Sequence, residues 1–171
     1  TMFSILYNVA ITNNADVVGC NFINEYEDRC IVFEQKYSYD KNINISRLIA
    51  GEIFPSLCTE IVRRSLYVEN NIKFHPGINM GEDLLVNVQL FANSNTIIGI
   101  KEVLYHYRHY KNSSCVIRNR SAIDSDIKVA SLIYDFLLSK NLDLIYKKEI
   151  LYRKFISKST LWRSRPVRDY Y

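Results

Sequence analysis

Residues 73–115 read KFHPGINMGEDLLVNVQLFANSNTIIGIKEVLYHYRHYKNSSC, and their order decides the fold. A loop over 76–81 runs into Glu82 and Asp83. From there Leu84, Leu85, Val88, Phe91 and Ala92 recur as one apolar stripe at helical spacing, so residues 82–93 are read as a helix. Its first turn carries two acids, where the helix dipole favours them. Residues 96–100 and 103–110 are rich in β-branched and aromatic side chains and are read as strands. Loop, amphipathic helix and strand in this sequence point to an α/β arrangement in which a helix packs on a sheet.

The flanks extend the pattern. Residues 2–14 place Phe3, Leu6, Tyr7 and Ala10 at helical spacing, and residues 16–23, DVVGCNFI, read as a buried strand. Residues 30–35 form its hairpin return, 36–44 a polar loop, and 45–53 and 59–67 two short helices. Residues 72–75 read as a short strand. Ser121 and Asp124 fit a capping box ahead of a helix over about 122–138, and a last helix spans about 143–163. Residues 1–115 therefore read as an α/β unit with a mixed sheet, and 116–171 as a helical C-terminal extension.

Composition bounds the function. The chain has 171 residues, 48% hydrophobic and 23% charged, which suits one folded domain and excludes a disordered chain. No apolar run is long enough to span a bilayer and no secretion signal is visible, so a cytoplasmic protein, free or on the inner face of the membrane, is expected. Cys20, Cys30, Cys58 and Cys115 lack metal-site spacing and read as reduced thiols, with a Cys20–Cys30 bridge within reach of the hairpin. Thirteen tyrosines accompany many Ile, Asn and Lys, all with AT-rich codons, so they need no ligand to explain them.

Charge is uneven. Residues 141–171 hold eight Lys or Arg and three acids, a net +5, and the rest of the chain carries −1. A basic end suggests either an anionic partner, such as a membrane surface, or a solvated helix face. No nucleic-acid-binding motif accompanies it, so nucleic acid is not expected as a partner. On a helical projection Leu144, Ile145, Leu151, Tyr152, Phe155, Ile156 and Trp162 share one arc, edged by Lys147, Lys154, Lys158 and Arg165 and interrupted by Lys148 inside it. That arc suits a membrane surface, and it equally suits packing on the chain's own body, the reading favoured on the sequence.

Candidate chemistry lies in the same central stretch. Glu82 and Asp83 are either a favourable helix-terminal charge or a general base for a hydroxyl. Arg108 and His109, at the end of a strand, are able to meet a phosphate. His75 reads as a loop residue and His106 as a packing residue. Asp124 and Asp126 form the sequence's DxD, read as capping and surface residues because carboxylates two apart on a helix do not face one metal.

A family resemblance joins these pieces. Residues 61–66 (IVRRSL), 72–74 (IKF), 81–83 (GED), 97–100 (IIGI), 104–108 (LYHYR) and Ser113-Ser114 resemble, in order, the second half of family 2 glycosyltransferase domains. The opening MFSILYNVAITNNADVVGCNF is similar to the helix and strand that follow that family's aspartate pair, so the likeness covers residues 2–115. The resemblance implies a GT-A fold, of which this chain is the acceptor-side half. It implies inverting transfer from a nucleoside-diphosphate sugar to a saccharide or lipid-linked hydroxyl in cell-surface polysaccharide or glycolipid synthesis, with Mg²⁺ or Mn²⁺ in the intact enzyme. It assigns Asp83 as base, Glu82 as its support, and Arg108, Ser113 and Ser114 to the donor diphosphate; His109 joins them on position alone. The family's DxD metal site would precede this sequence, so the chain by itself is expected to bind its donor poorly. A non-catalytic relative that binds protein or membrane is the alternative.

Overall fold

The structure is a computed structural model and describes residues 1–110 and 120–163, with side chains of the last helix as far as 159. Ser113, Ser114 and Cys115 lie outside the described residues, as does the Trp162 side chain.

Helix α1 (Met2–Thr12) begins at Thr1, whose hydroxyl accepts from the Ser4 amide, and leads into β1 (Val17–Glu25). β1 is central. Its second half pairs antiparallel with β2 (Cys30–Phe33), its first half antiparallel with β3 (Glu60–Val62), and its whole length parallel with β4 (Ile97–Arg108). Between β2 and β3 lies α2 (Lys41–Ala50), capped by Asp40 and stopped by Gly51 at φ +85°. A short 3-10 turn over Leu57–Thr59 leads into β3. Helices α3 (Arg64–Glu69) and α4 (Glu82–Asn93) complete the crossover to β4, and α5 (Arg120–Ser139) and α6 (Lys147–Arg163) follow.

Alternation along β1 sorts two layers. Val18 and Cys20 pack with Leu6 and Ala15 under α1, while Val17 joins the larger core on the opposite face. That core takes Ile45, Leu48 and Ile49 from α2, Leu84, Leu85, Val88 and Phe91 from α4, Val129, Ile133 and Leu137 from α5, and Ile150 from α6. Helices α5 and α6 thus share the core of the sheet. Asp16 ties the start of β1 to its neighbours. Its Oδ1 accepts from Arg63 Nε at 2.7 Å and its Oδ2 from the Asn95 amide at 2.7 Å.

The mixed α/β sheet and the helical end match the sequence reading, and α4 has the bounds expected of it. Other expectations are corrected. Residues 59–67 are not one helix, because Glu60–Val62 completes a ladder on Val17–Gly19 and only 64–69 coil. Residues 72–75 form no strand, since no edge meets them, and Ile72 is simply buried. Helix α2 begins at Lys41, inside the expected loop, because Asp40 supplies the cap. The two strands expected over 96–110 are one, with a bulge opposite Cys20 and Asn21; Asn21 Nδ2 donates to the Lys101 carbonyl there at 2.9 Å. Ser121 lies inside α5, so no capping box forms with Asp124. Cys20 and Cys30 are unbridged; the buried Cys20 thiol donates to the Thr59 carbonyl.

The expectation for α6 is also corrected. The arc favoured for packing on the body is largely solvent-facing: Leu144, Ile145, Leu151, Tyr152 and Phe155 are exposed. Tyr146, Ile150 and Ser157 are buried instead, with Arg153 beside them.

Candidate functional site

Gly19 and Gly99 face each other across the β1–β4 pairing, and the Tyr37 ring lies over both. A Cβ at either glycine would run into that ring, so the bare backbone admits the tyrosine. Glu60 pairs with Gly19 from the other side of β1 and is 6% exposed. Neither Glu60 Oε1 nor the Tyr37 hydroxyl has a hydrogen-bond partner among the described residues. Burial, then the charge of Asp83, pushes the Glu60 carboxyl up to about 8, against a smaller opposing effect of the Tyr37 hydroxyl.

Asp83 stands in the first turn of α4, half-buried. Burial raises its carboxyl above the ordinary range, Glu82 raises it further, and the backbone of Leu57 pulls the other way. The Tyr67 hydroxyl is raised by burial and by the charges of Glu60 and Asp83. Glu60, Asp83 and the hydroxyls of Tyr37 and Tyr67 thus form one electrostatically coupled group, with Glu60 buried and Asp83 half-buried. Gly81 sets the entry of α4. Its φ of +82° suits glycine, and Val129 and Asp126 of α5 lie within van der Waals contact, 3.4–3.5 Å, of where a Cβ would stand. The helix that carries Asp83 is thereby seated on α5.

Among the described residues no Lys, Arg or His bridges Glu60, Glu82 or Asp83. A half-buried carboxylate without a cation, raised above the ordinary carboxylate range, is suited to accept a proton. Among the described residues no group of three or more His, Cys, Asp or Glu is placed to hold a metal ion.

Arg108 and His109 sit at the far end of β4. Arg108 Nε donates to Glu25 Oε2 at 3.0 Å, and His106 meets Oε1 of the same carboxylate. His106 and Arg108 together hold that carboxyl below its usual range. His106, expected to pack, is exposed instead. His109 contacts Asn24 Oδ1 at 2.8 Å and stacks on Tyr26 with ring centroids 4.3 Å apart. His75 lies in an exposed loop, as read. Asp124 pairs with Arg120, and Asp126 is more enclosed than a surface residue, with Oδ1 2.6 Å from Arg153 Nη2. Glu60, Tyr37 and Tyr67 are the members of the coupled group that sequence reasoning missed. The available signal was a lone acid inside an apolar run, Cys58–Val62.

No family model matches the chain. Over 134 residues, 74% of its length, the chain is 24% identical to the uncharacterized glycosyltransferase EpsJ of Bacillus subtilis and covers 39% of that protein. The crystal structure of S. aureus TarS 1–349 superposes with a TM-score of 0.67 at 20% identity, over 97% of this chain and 46% of TarS. TarS in complex with UDP-GlcNAc gives 0.65 at 19% identity, over 90% of this chain and 44% of that one. The chain thus spans less than half the length of each relative, and shares with TarS the fold of the matched part.

Proposed function

We propose that this chain forms the acceptor-side half of an inverting glycosyltransferase and that Asp83 is its general base. The observation that carries the reading is the raised, cation-free carboxyl of Asp83 in the first turn of α4, backed by buried Glu60. Likeness to EpsJ and to TarS bound to UDP-GlcNAc supports a nucleotide-sugar donor. In this reading the acceptor hydroxyl oxygen attacks the anomeric carbon of the donor. The bond from that carbon to the diphosphate breaks, the diphosphate leaves with the electron pair, and the hydroxyl proton passes to Asp83. A neighbour already holding a proton, Glu60, keeps negative charge from accumulating behind the base. Glu82 supports Asp83. Arg108 and His109 at the end of β4 are assigned to the diphosphate, with Ser113 and Ser114. The acceptor is a saccharide or lipid-linked hydroxyl at the inner face of the membrane.

The test is Asp83→Asn in the native full-length polypeptide. Transfer from a UDP-sugar should fall by ~10² to 10⁴. Donor affinity, measured by calorimetry, should stay within about twofold, since the base does not hold the donor. A variant that keeps most of its turnover would remove Asp83 from the role. Loss of donor binding and turnover together would favour a structural role for the acidic pair.

A further inference from the structure

Helix α6 meets the body along one side only. Tyr146, Ile150 and Ser157 are buried there; the Tyr146 hydroxyl donates to Asn42 Oδ1 at 2.8 Å and Arg153 pairs with Asp126. Glu149, the one acid of α6, is also turned inward and accepts from the Ser46 hydroxyl at 2.7 Å. These contacts fix the roll of the helix. With about 100° per residue, Leu151, Tyr152 and Phe155 are carried to the opposite side. Leu151 is 58% exposed and Phe155 68%; Leu144, in the turn before the helix, is 77% exposed. Lys147, Lys148 and Lys158 are exposed on the same outward half, and Lys154 lies over the Tyr134 ring at its edge.

We propose that this outward face of α6, with the turn before it, lies on an anionic lipid bilayer. The proposal does not rest on glycosyl transfer, and its test reads no activity. Apolar side chains enter the headgroup boundary while lysines at the edge meet acidic headgroups. Charge complementarity selects the occupant. The one acid of the helix is turned inward, so the outward half of the helix itself presents cations alone, and Asp143 in the turn before it is half-buried. A second copy seated on the same face would set lysine against lysine. A few side chains also fall short of the roughly 800 Å² per partner that a stable protein interface buries. Among the described residues no helix is long and apolar enough to cross a membrane, so this one would lie along its surface.

Vesicle flotation of the 171-residue chain tests this, with phosphatidylglycerol mixed into phosphatidylcholine against phosphatidylcholine alone. Binding is expected to the anionic vesicles and to weaken steeply with salt. Each Lys→Glu among Lys147, Lys148 and Lys158 should weaken it at least about fivefold, as expected for basic residues near an anionic surface. Leu151→Glu with Phe155→Glu should abolish flotation while circular dichroism stays unchanged, because both side chains face solvent. No flotation at low salt overturns the proposal. So does flotation that survives the double substitution, or a dimer that the substitution dissolves without any vesicle binding.

Discussion

Two groups of carboxylates, one in the first turn of α4 and one further along α5, do different things. At α4, no basic side chain bridges Glu82 or Asp83 among the described residues, Asp83 acts electrostatically on buried Glu60, and both Asp83 and Glu60 are raised. At α5, Asp124 and Asp126 each have an arginine, Arg120 on the same helix and Arg153 across on α6. Motif-level reading already favours Glu82 and Asp83 and treats Asp124 and Asp126 as capping and surface residues. The presence of a cation separates them. A paired carboxylate ties elements together, whereas a half-buried one without a cation is suited to exchange a proton.

The strongest test of that contrast compares Asp83→Asn with Asp126→Asn. The first should cost ~10² to 10⁴ in transfer rate with little loss of stability. The second should reverse the pattern, lowering the denaturation midpoint and leaving the rate within a fewfold. Equal effects on rate would erase the distinction. Next in size is Arg153→Ala, which strands Asp126 in a mostly enclosed position between α5 and α6. It should destabilise by ~1.5–3 kcal/mol, the worth of a charged hydrogen bond, read by urea denaturation.

Glu60 sharpens the comparison through pH. Its folded value, about 8, lies above the ordinary 4.5 of an unfolded glutamate. Between those values the folded chain holds a proton that the unfolded chain has released. Stability therefore falls as pH rises from 4.5 to about 8, by at most ~1.4 kcal/mol per pH unit. Glu60→Gln should flatten this part of the pH–stability curve. An unchanged slope would show that Glu60 is ionised in the fold. The smallest effect belongs to Arg120→Ala. The Arg120–Asp124 pair is exposed, with side chains 75% and 54% accessible, so its loss should cost no more than ~0.5 kcal/mol in the same denaturation assay.

Much of the coupled group's setting is legible in the sequence, and the group itself is not. Leu84, Leu85, Val88 and Phe91 announce α4 because a two-sided helix needs one stripe against a core, and this places Asp83 in a first turn. Glu60 hides because CTEIVRRSLY has the composition of a helix. Its strand forms only when Val17–Gly19 offers a ladder about forty residues earlier in the chain. Tyr37 hides for a related reason. Nothing near it in sequence marks the two glycines, far apart along the chain, that make room for its ring.

What the sequence by itself determined is local: the stripe of α4, an apolar strand over 16–23, the turn residues, the basic end and the order of motifs that resembles a glycosyltransferase half-domain. Each of these depends on residues a few positions apart, whose spacing already fixes which face is apolar. Only the tertiary structure decided which acids have cations, which tyrosines couple to Glu60 and Asp83 and which side of α6 is covered. Helix α6 shows why. Its apolar arc suggested packing, yet Tyr146, Glu149 and Arg153 found partners in Asn42, Ser46 and Asp126, residues 27 or more positions away in the chain. Those polar contacts set the roll of the helix, and the apolar arc was left facing out.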